Sequence, residues 1–90
     1  MTIDILGVQH TVRVVSDRLL PPDSLGQCDA TNAEIFILEG MPPGVEKRII
    51  VHELVHAVDD ALGLGLTEEQ VAALGAGLAS IPQLRVEVDL

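Results

Sequence analysis

Two histidines and a glutamate at a fixed spacing are the residues of this sequence best suited to chemistry. His52, Glu53 and His56 form the pattern H-E-x-x-H within RIIVHELVHAVDD, residues 48–60. On an α-helix, residues i and i+4 lie one above the other on the same face. Two imidazoles placed in this way can donate nitrogens to one zinc ion at about 2.0–2.1 Å. The spacing therefore predicts that His52 and His56 bind zinc.

The glutamate after the first histidine has a different predicted role. Glu53 points to the side of the histidine pair, where its carboxylate reaches a water on the metal rather than the metal itself. Zinc acidifies such a water, and the carboxylate takes its proton as the water attacks a polarised carbonyl. Glu53 is therefore the predicted general base. The alternative is a core helix that carries these residues by coincidence, although a buried charge without a partner would be costly.

A catalytic zinc usually has three protein ligands and one open position. Asp60 continues the spacing of four, but a helix rises about 12 Å from His52 to Asp60, so one ion cannot meet both ends. The longer pattern H-E-x-x-H-x-x-G-x-x-H is absent, because Asp59 stands at its glycine and Leu62 at its last histidine. The third ligand is therefore expected from another element.

The next helix offers two candidates for this third ligand. Glu68 shares a face with Val71 and Gly75, which is the expected packing face, so Glu68 is preferred. Glu69 lies about 100° away and stays open as the alternative. Either acid could instead serve only the positive end of the helix dipole.

The elements that must position these residues are two helices and two hairpins. The first helix is predicted over residues 45–62, ended by Gly63 and Gly65, and the second over residues 68–80, begun by the capping box T-E-E-Q at Thr67. One apolar face is predicted on the first helix, formed by Ile50, Val51, Leu54, Val58, Ala61 and Leu62. Gly75 and Gly77 are expected to let a neighbour approach the second helix closely.

Alternating residues predict strands in the first half of the chain. Residues 2–15 are expected to form a hairpin with a turn at Gly7, and residues 26–38 a second hairpin. The alternation in QLRVEVDL, residues 83–90, predicts either a last strand or a frayed tail. Together these elements predict a single α+β domain over residues 1–90.

Composition limits the possible partners. The net charge is −9, with fourteen acidic and five basic residues, so the surface repels phosphate backbones and nucleic-acid binding is not expected. No apolar run is long enough to span a membrane, and no basic and apolar leader pattern begins the chain, so a cytoplasmic location is expected. The single cysteine, Cys28, excludes an intramolecular disulfide and suits a reducing compartment.

The stretch RIIVHELVHAVDDALGLGLTEEQVAALGAGL, residues 48–78, resembles the small zincin-like proteins of bacterial viruses and their hosts. These are similar to minimal gluzincins and, more distantly, to the ImmA/IrrE metallopeptidases. The resemblance implies a minimal zincin core, in which a small twisted sheet of about three to five strands packs on the HExxH helix and a second, glutamate-bearing helix. It also implies that the edge strand beside the HExxH helix pairs with extended peptide, a role placed within Glu34–Leu38.

The chain departs from the ImmA/IrrE pattern at two points. Ala72 stands where E-x-x-A-[ND]-x-F-A has Asn or Asp to support a histidine, and Asp59 or Asp60 could supply that carboxylate instead. The sequence also lacks tyrosine, which many gluzincins use to steady the oxyanion. His10 and Arg48 are the remaining candidates for this role, beside their ordinary interpretations as a strand histidine and a solvated or acid-paired helix residue.

Three functions are therefore open from the sequence. The first is a zinc-dependent metallopeptidase that hydrolyses a peptide or protein in extended conformation. The second is a non-catalytic, zinc-stabilised module that binds peptides or regulates a partner, and the third is a structural protein without metal. Cys28 is either a small strand hydrophobe or a cap on the zinc. The oligomeric state is left open.

Overall fold

The protein folds into a small mixed sheet covered by two helices, and the computed structural model describes residues 1–86. The described elements follow the chain in the order β1 (Thr2–Ile5), β2 (Val8–Val15), a 3₁₀ turn (Asp17–Leu19), β3 (Gly26–Asp29), β4 (Glu34–Leu38), α1 (Pro43–Leu62) and α2 (Glu68–Ala79). This arrangement confirms the predicted α+β class.

Both predicted hairpins are present. β1 pairs antiparallel with β2, and the two residues that join them, Leu6 and Gly7, have φ of 49° and 84°. Positive φ at both positions is typical of the type I′ turn, whose twist matches that of the flanking strands. β3 pairs antiparallel with β4, with Gly26 opposite Ile37 and Asp29 opposite Glu34.

The strand order is β1-β2-β4-β3, with β4 parallel to β2. β4 therefore has a neighbour on each side, and the prediction of an edge strand within Glu34–Leu38 is wrong. The reason is burial: Ile35 and Ile37 of β4 are fully buried beneath α1, so this apolar strand takes a central position. The edge strand that contacts α1 is β3.

Both helices agree closely with their predicted bounds. α1 begins at Pro43, two residues before the predicted start, because proline at the first turn has its φ already set for a helix. Gly63 ends α1 in the left-handed conformation, with φ of 62°. Thr67 caps α2 with the predicted capping box, in which Thr67 and Gln70 bond each other's backbone.

The predicted apolar face of α1 is only partly correct. The helix buries Ile49, Ile50, Val51, Glu53, Val55 and Ala57, and a core cluster joins Val12, Ile35, Ile37, Ile49 and Ile50. Val58 and Leu62, which were expected in the core, are 36% and 55% exposed, and Ala61 of the same predicted face is exposed as well. The difference arises because α1 is covered on two sides, by the sheet and by α2. The prediction assumed a single apolar face along the helix.

The C-terminal alternation forms no strand over residues 83–86. Residues 87–90, which complete the predicted segment, lie outside the described residues. Within residues 1–86, neither helix combines the length and the apolar composition that crossing a membrane requires.

Candidate metal centre

The three residues of the motif lie together on α1. One ligand atom each from His52, Glu53 and His56 can be chosen such that all lie within 4.8 Å of one another. The two imidazole rings meet edge to face, with centroids 5.0 Å apart, and both side chains are 31% exposed. This is the stacking that a spacing of four on a helix predicts.

Glu68 joins this group from the first residue of α2. Its Oε1 lies 2.9 Å from Nε2 of His52, and its Oε2 lies 3.3 Å from Nε2 of His56. One carboxylate thus contacts Nε2 of both rings, one oxygen to each. Among residues 1–86, Glu69 makes no such contact with either histidine.

These contacts alone contribute little to the stability of the fold. The Glu68 side chain is 69% exposed, and an ion pair in such a position is worth about 0–1 kcal/mol. The types of these three side chains matter more than their interaction energy. Two histidines and a glutamate are the ligands of one common type of catalytic zinc site. The residues present therefore fit a zinc ion.

Glu53 differs from Glu68 in its surroundings. It is only 5% exposed, and its Oε2 is buried without a hydrogen-bond partner among the described residues. Burial raises the pKa of the Glu53 carboxyl, as does nearby Glu68, while His56 and His52 oppose the rise. A buried oxygen without a partner is costly in a native protein, and a raised pKa suits a carboxylate that must accept a proton near neutral pH.

Two glycines allow the three elements to meet at this site. A Cβ atom on Gly75 of α2 would lie 3.2 Å from Cα of His52, and one on Gly26 of β3 would lie 2.7 Å from Cγ2 of Ile49 and 3.3 Å from Cγ of Glu53. The close approach predicted at Gly75 is confirmed, whereas Gly77 faces open space. Gly26 was missed; a glycine beginning an otherwise ordinary strand was the available signal.

Of the two carboxylates suggested as support for the histidines, that of Asp59 is engaged elsewhere. Asp59 Oδ1 accepts a hydrogen bond of 3.1 Å from the backbone N–H of Leu66, in the connection between α1 and α2. Within residues 1–86, neither Asp59 nor Asp60 bonds a histidine. Asp59 therefore helps to hold the connection that brings Glu68 into position.

Two clefts flank the site, and Glu53 lines both of them. The first, about 340 Å³, lies between β3, α1 and α2 and is lined by Leu25, Gly26, Val45, Arg48, Ile49, His52, Glu53, Ala72 and Ala76. The second, about 380 Å³, is lined by Gln27, Cys28, Ala30, Glu53, His56, Asp59 and Asp60. Bulk solvent and small groups can therefore approach the motif from either side of Glu53.

The candidates for the oxyanion role, Arg48 and His10, and the possible zinc cap, Cys28, occupy different places. Arg48 lines the first cleft and makes no ion pair with a residue of 1–86. His10 is buried in β2, with its Nδ1 3.0 Å from the carbonyl oxygen of Val8, and lines neither cleft. Burial, followed by the charges of Glu53, Asp60 and Asp29, raises the pKa of Cys28 to about 11. Cys28 lies on β3 and lines the second cleft together with Glu53 and His56.

Comparison of this chain with known proteins gives no match among protein-family models, curated proteins or solved structures.

Proposed function

We propose that this protein is a zinc-dependent metallopeptidase of the HExxH type, similar to minimal zincins. The observation that carries the proposal is the position of one carboxylate, that of Glu68, against Nε2 of both His52 and His56. Glu53, whose Oε2 is buried without a hydrogen-bond partner among the described residues, lies close to both histidines. Three convergent donors and an adjacent base of raised pKa are what metal-assisted hydrolysis requires.

In this mechanism His52, His56 and Glu68 would hold the zinc ion. When bound, zinc supplies Lewis acidity, which polarises a carbonyl and acidifies a water. Glu53 accepts the proton of the water as the water oxygen forms a bond with the carbonyl carbon. The same carboxyl then gives this proton to the amide nitrogen as the carbon–nitrogen bond breaks, so Glu53 serves as base and then as acid.

The edge strand β3 supports a peptide as the substrate. An edge strand has one side of unpaired backbone groups, to which an extended peptide can add as a further strand. Gly26 of β3 lines the first cleft, and Gln27 and Cys28 line the second. Because Glu53 lines both clefts, β3 borders each of the two clefts that contain Glu53. This proposal has no place for nucleic acid as a partner and assumes a cytoplasmic location.

Metal content and turnover test the proposal together. The wild-type protein should purify with about one zinc per chain, and His56→Ala and Glu68→Gln should each lose most of it. Glu69→Gln is the matched control and should retain the metal, since Glu69 makes no contact with the histidines. Equal zinc retention in the two glutamine variants would contradict Glu68 as a ligand.

The role of Glu53 is tested by a peptide library. Wild-type cleavage should stop with a chelator, and Glu53→Gln should keep its zinc and lose about 10²–10⁴-fold in turnover, the usual contribution of a general base. A Glu53→Gln variant that cleaves at the wild-type rate would rule out this mechanism.

A second candidate is a zinc-stabilised module that binds peptides without cleaving them. It is favoured by the absence of tyrosine from the sequence and by the small core, which a bound metal would help to stabilise. Peptide binding without cleavage, together with a large loss of melting temperature on chelation, would select this candidate. Chelator-sensitive cleavage would exclude it.

A further inference from the structure

The first cleft beside Glu53 has a mostly apolar wall that the metal ligands do not use. Its apolar lining comes from both helices and from the segment before β3, namely Leu25, Val45, Ile49, Ala72 and Ala76. Two of these residues are alanines of α2, whose short side chains leave the cleft open at about 340 Å³. An aliphatic side chain placed there would leave water for an apolar surface, which is favourable.

Arg48 is the one basic side chain among the described residues that line this cleft. The molecule carries a net charge of −9, yet Arg48 has no acidic partner within residues 1–86. Arg13 pairs with Glu34 at 2.8 Å, and Lys47 donates to the carbonyl oxygen of Ile81 at 2.8 Å. Arg18, like Arg48, makes no ion pair within residues 1–86, but it does not line the cleft. A free guanidinium at the edge of an apolar cleft is suited to a carboxylate, which it can bind with two hydrogen bonds.

Helix geometry relates Arg48 to the candidate metal centre. Arg48 precedes His52 by four residues, so the two share one face of α1 at a separation of about 6 Å along the helix axis. An extended peptide advances about 3.3–3.6 Å per residue. A carboxylate at Arg48 is therefore one to two residues from a peptide group at His52.

We propose that the first cleft binds an aliphatic side chain of an extended peptide and that Arg48 binds a carboxylate one or two residues from the cleavage point. The inference rests on the proposed function, because that function places the cleaved peptide group beside His52 and Glu53. The carboxylate is supplied either by the C-terminus of the peptide or by an aspartate or glutamate side chain. Arg48 and the two alanines, Ala72 and Ala76, thus determine specificity.

Binding of short peptides to the metal-free wild-type protein tests this inference without turnover. The probes are acetyl-Ala-Ala-Leu-Ala with a free C-terminus, its C-terminal amide, acetyl-Ala-Ala-Leu-Asp amide and acetyl-Ala-Ala-Gln-Ala with a free C-terminus, titrated in chelator and followed by NMR. The leucine peptide should bind about tenfold more tightly than the glutamine peptide. Amidation should weaken binding about fivefold, and recovery with the aspartate peptide would identify a side chain as an acceptable source of the carboxylate.

Matched variants locate the effect in the cleft. Ala72→Leu fills the cleft and should weaken the leucine peptide about tenfold, whereas Ala73→Leu, at an exposed neighbour on α2 that does not line the cleft, should not. Arg48→Gln should abolish the preference for a free carboxylate, while Arg18→Gln, at an exposed residue of the 3₁₀ turn, should preserve it. Melting curves confirm that each variant is folded.

Several results would overturn the inference. The inference is wrong if the leucine and glutamine peptides bind with equal affinity, or if Ala72→Leu and Ala73→Leu have equal effects. It is also wrong if no probe binds at millimolar concentration. The proposed function fails differently. Selective peptide binding without cleavage by the zinc-loaded protein would leave the cleft assignment intact and remove the peptidase. Cleavage without a preference for an aliphatic side chain or a carboxylate would support the peptidase and remove the cleft assignment.

Discussion

At the scale of single residues, Glu53 is the side chain whose position is hardest to explain by stability alone. Its carboxyl is buried, and its Oε2 lacks a partner among the described residues. Among the described residues, His56 and His52 are the groups that lower its pKa, against the rise caused by burial. Native proteins tend to accept such a cost at functional sites, where an unsatisfied group has a role in binding or reaction.

We predict that Glu53→Gln stabilises the metal-free protein at neutral pH. Because the folded-state pKa of Glu53 is raised above its ordinary value of 4.5, the unfolded chain loses this proton at a lower pH than the native protein. The stability contributed by the protonated form is therefore present below about pH 4.5 and is lost as pH rises through the folded-state pKa. The free energy of unfolding of the variant should exceed that of wild type by about 1 kcal/mol at pH 7.

Urea denaturation in chelator at pH 4 and pH 7 measures this difference. Glu69→Gln is the control, because Glu69 is exposed at the start of the same helix that supplies Glu68. The gap between Glu53→Gln and wild type should be small at pH 4 and larger at pH 7. A gap that shrinks as pH rises would contradict the assignment of a raised pKa.

Cys28 gives a second prediction at this scale. Its pKa of about 11, raised chiefly by burial from an ordinary value of 9.0, leaves about 100-fold less thiolate at pH 8 than in the unfolded chain. Because the thiolate is the reactive form, iodoacetamide should alkylate the folded protein at least about 100-fold more slowly than the protein in urea. Folded-state alkylation that is already half-maximal near pH 9 would show that Cys28 is not shielded in this way.

At the scale of elements, the site depends on how closely α2 approaches α1. Gly75 lies against the backbone of His52, and an added Cβ would meet a Cα that cannot move like the end of a side chain. We predict that Gly75→Ala displaces α2 and with it Glu68, which should lower zinc affinity about tenfold or more. Competition with a chelating dye measures this affinity.

Gly77→Ala is the matched control for this prediction. The same substitution two residues later meets open space and should stabilise α2 by up to about 1 kcal/mol, because alanine is the better helix former. Zinc affinity should then stay at the wild-type value. Equal zinc affinity in the two alanine variants would mean that helix spacing at Gly75 does not control the site.

The elements also differ in how well the sequence could predict them. The helix that carries His52 and His56, the capping box at Thr67 and the turn at Gly7 follow from residues within a few positions of one another. The central position of β4 and the contact of Gly26 with Glu53 do not, because each depends on residues far apart in the chain. The face of α1 was mistaken at Val58 and Leu62 for this reason, since the cover provided by the sheet and α2 cannot be read from one helix.

At the scale of the whole molecule, the hydrophobic core that stabilises the fold is small. Twelve hydrophobic residues are buried among those described, and the four largest fully buried side chains are Ile35, Ile37, Ile50 and Val71. A metal that binds only the folded state adds its binding free energy to the stability of such a core. His52 and His56 lie on α1 and Glu68 on α2, so an ion held by all three would join the two helices.

We therefore predict that zinc raises the melting temperature of the whole domain. A ligand present at 100 times its dissociation constant stabilises the native state by about 2.7 kcal/mol. For a domain of 60–100 residues, each kcal/mol shifts the midpoint by about 4–8 °C, so wild type should melt about 10–20 °C higher with zinc than with chelator. Calorimetry on wild type and His56→Ala under both conditions provides the measurement. The variant should show little response, and a wild-type midpoint that is indifferent to zinc would exclude a metal that joins α1 to α2.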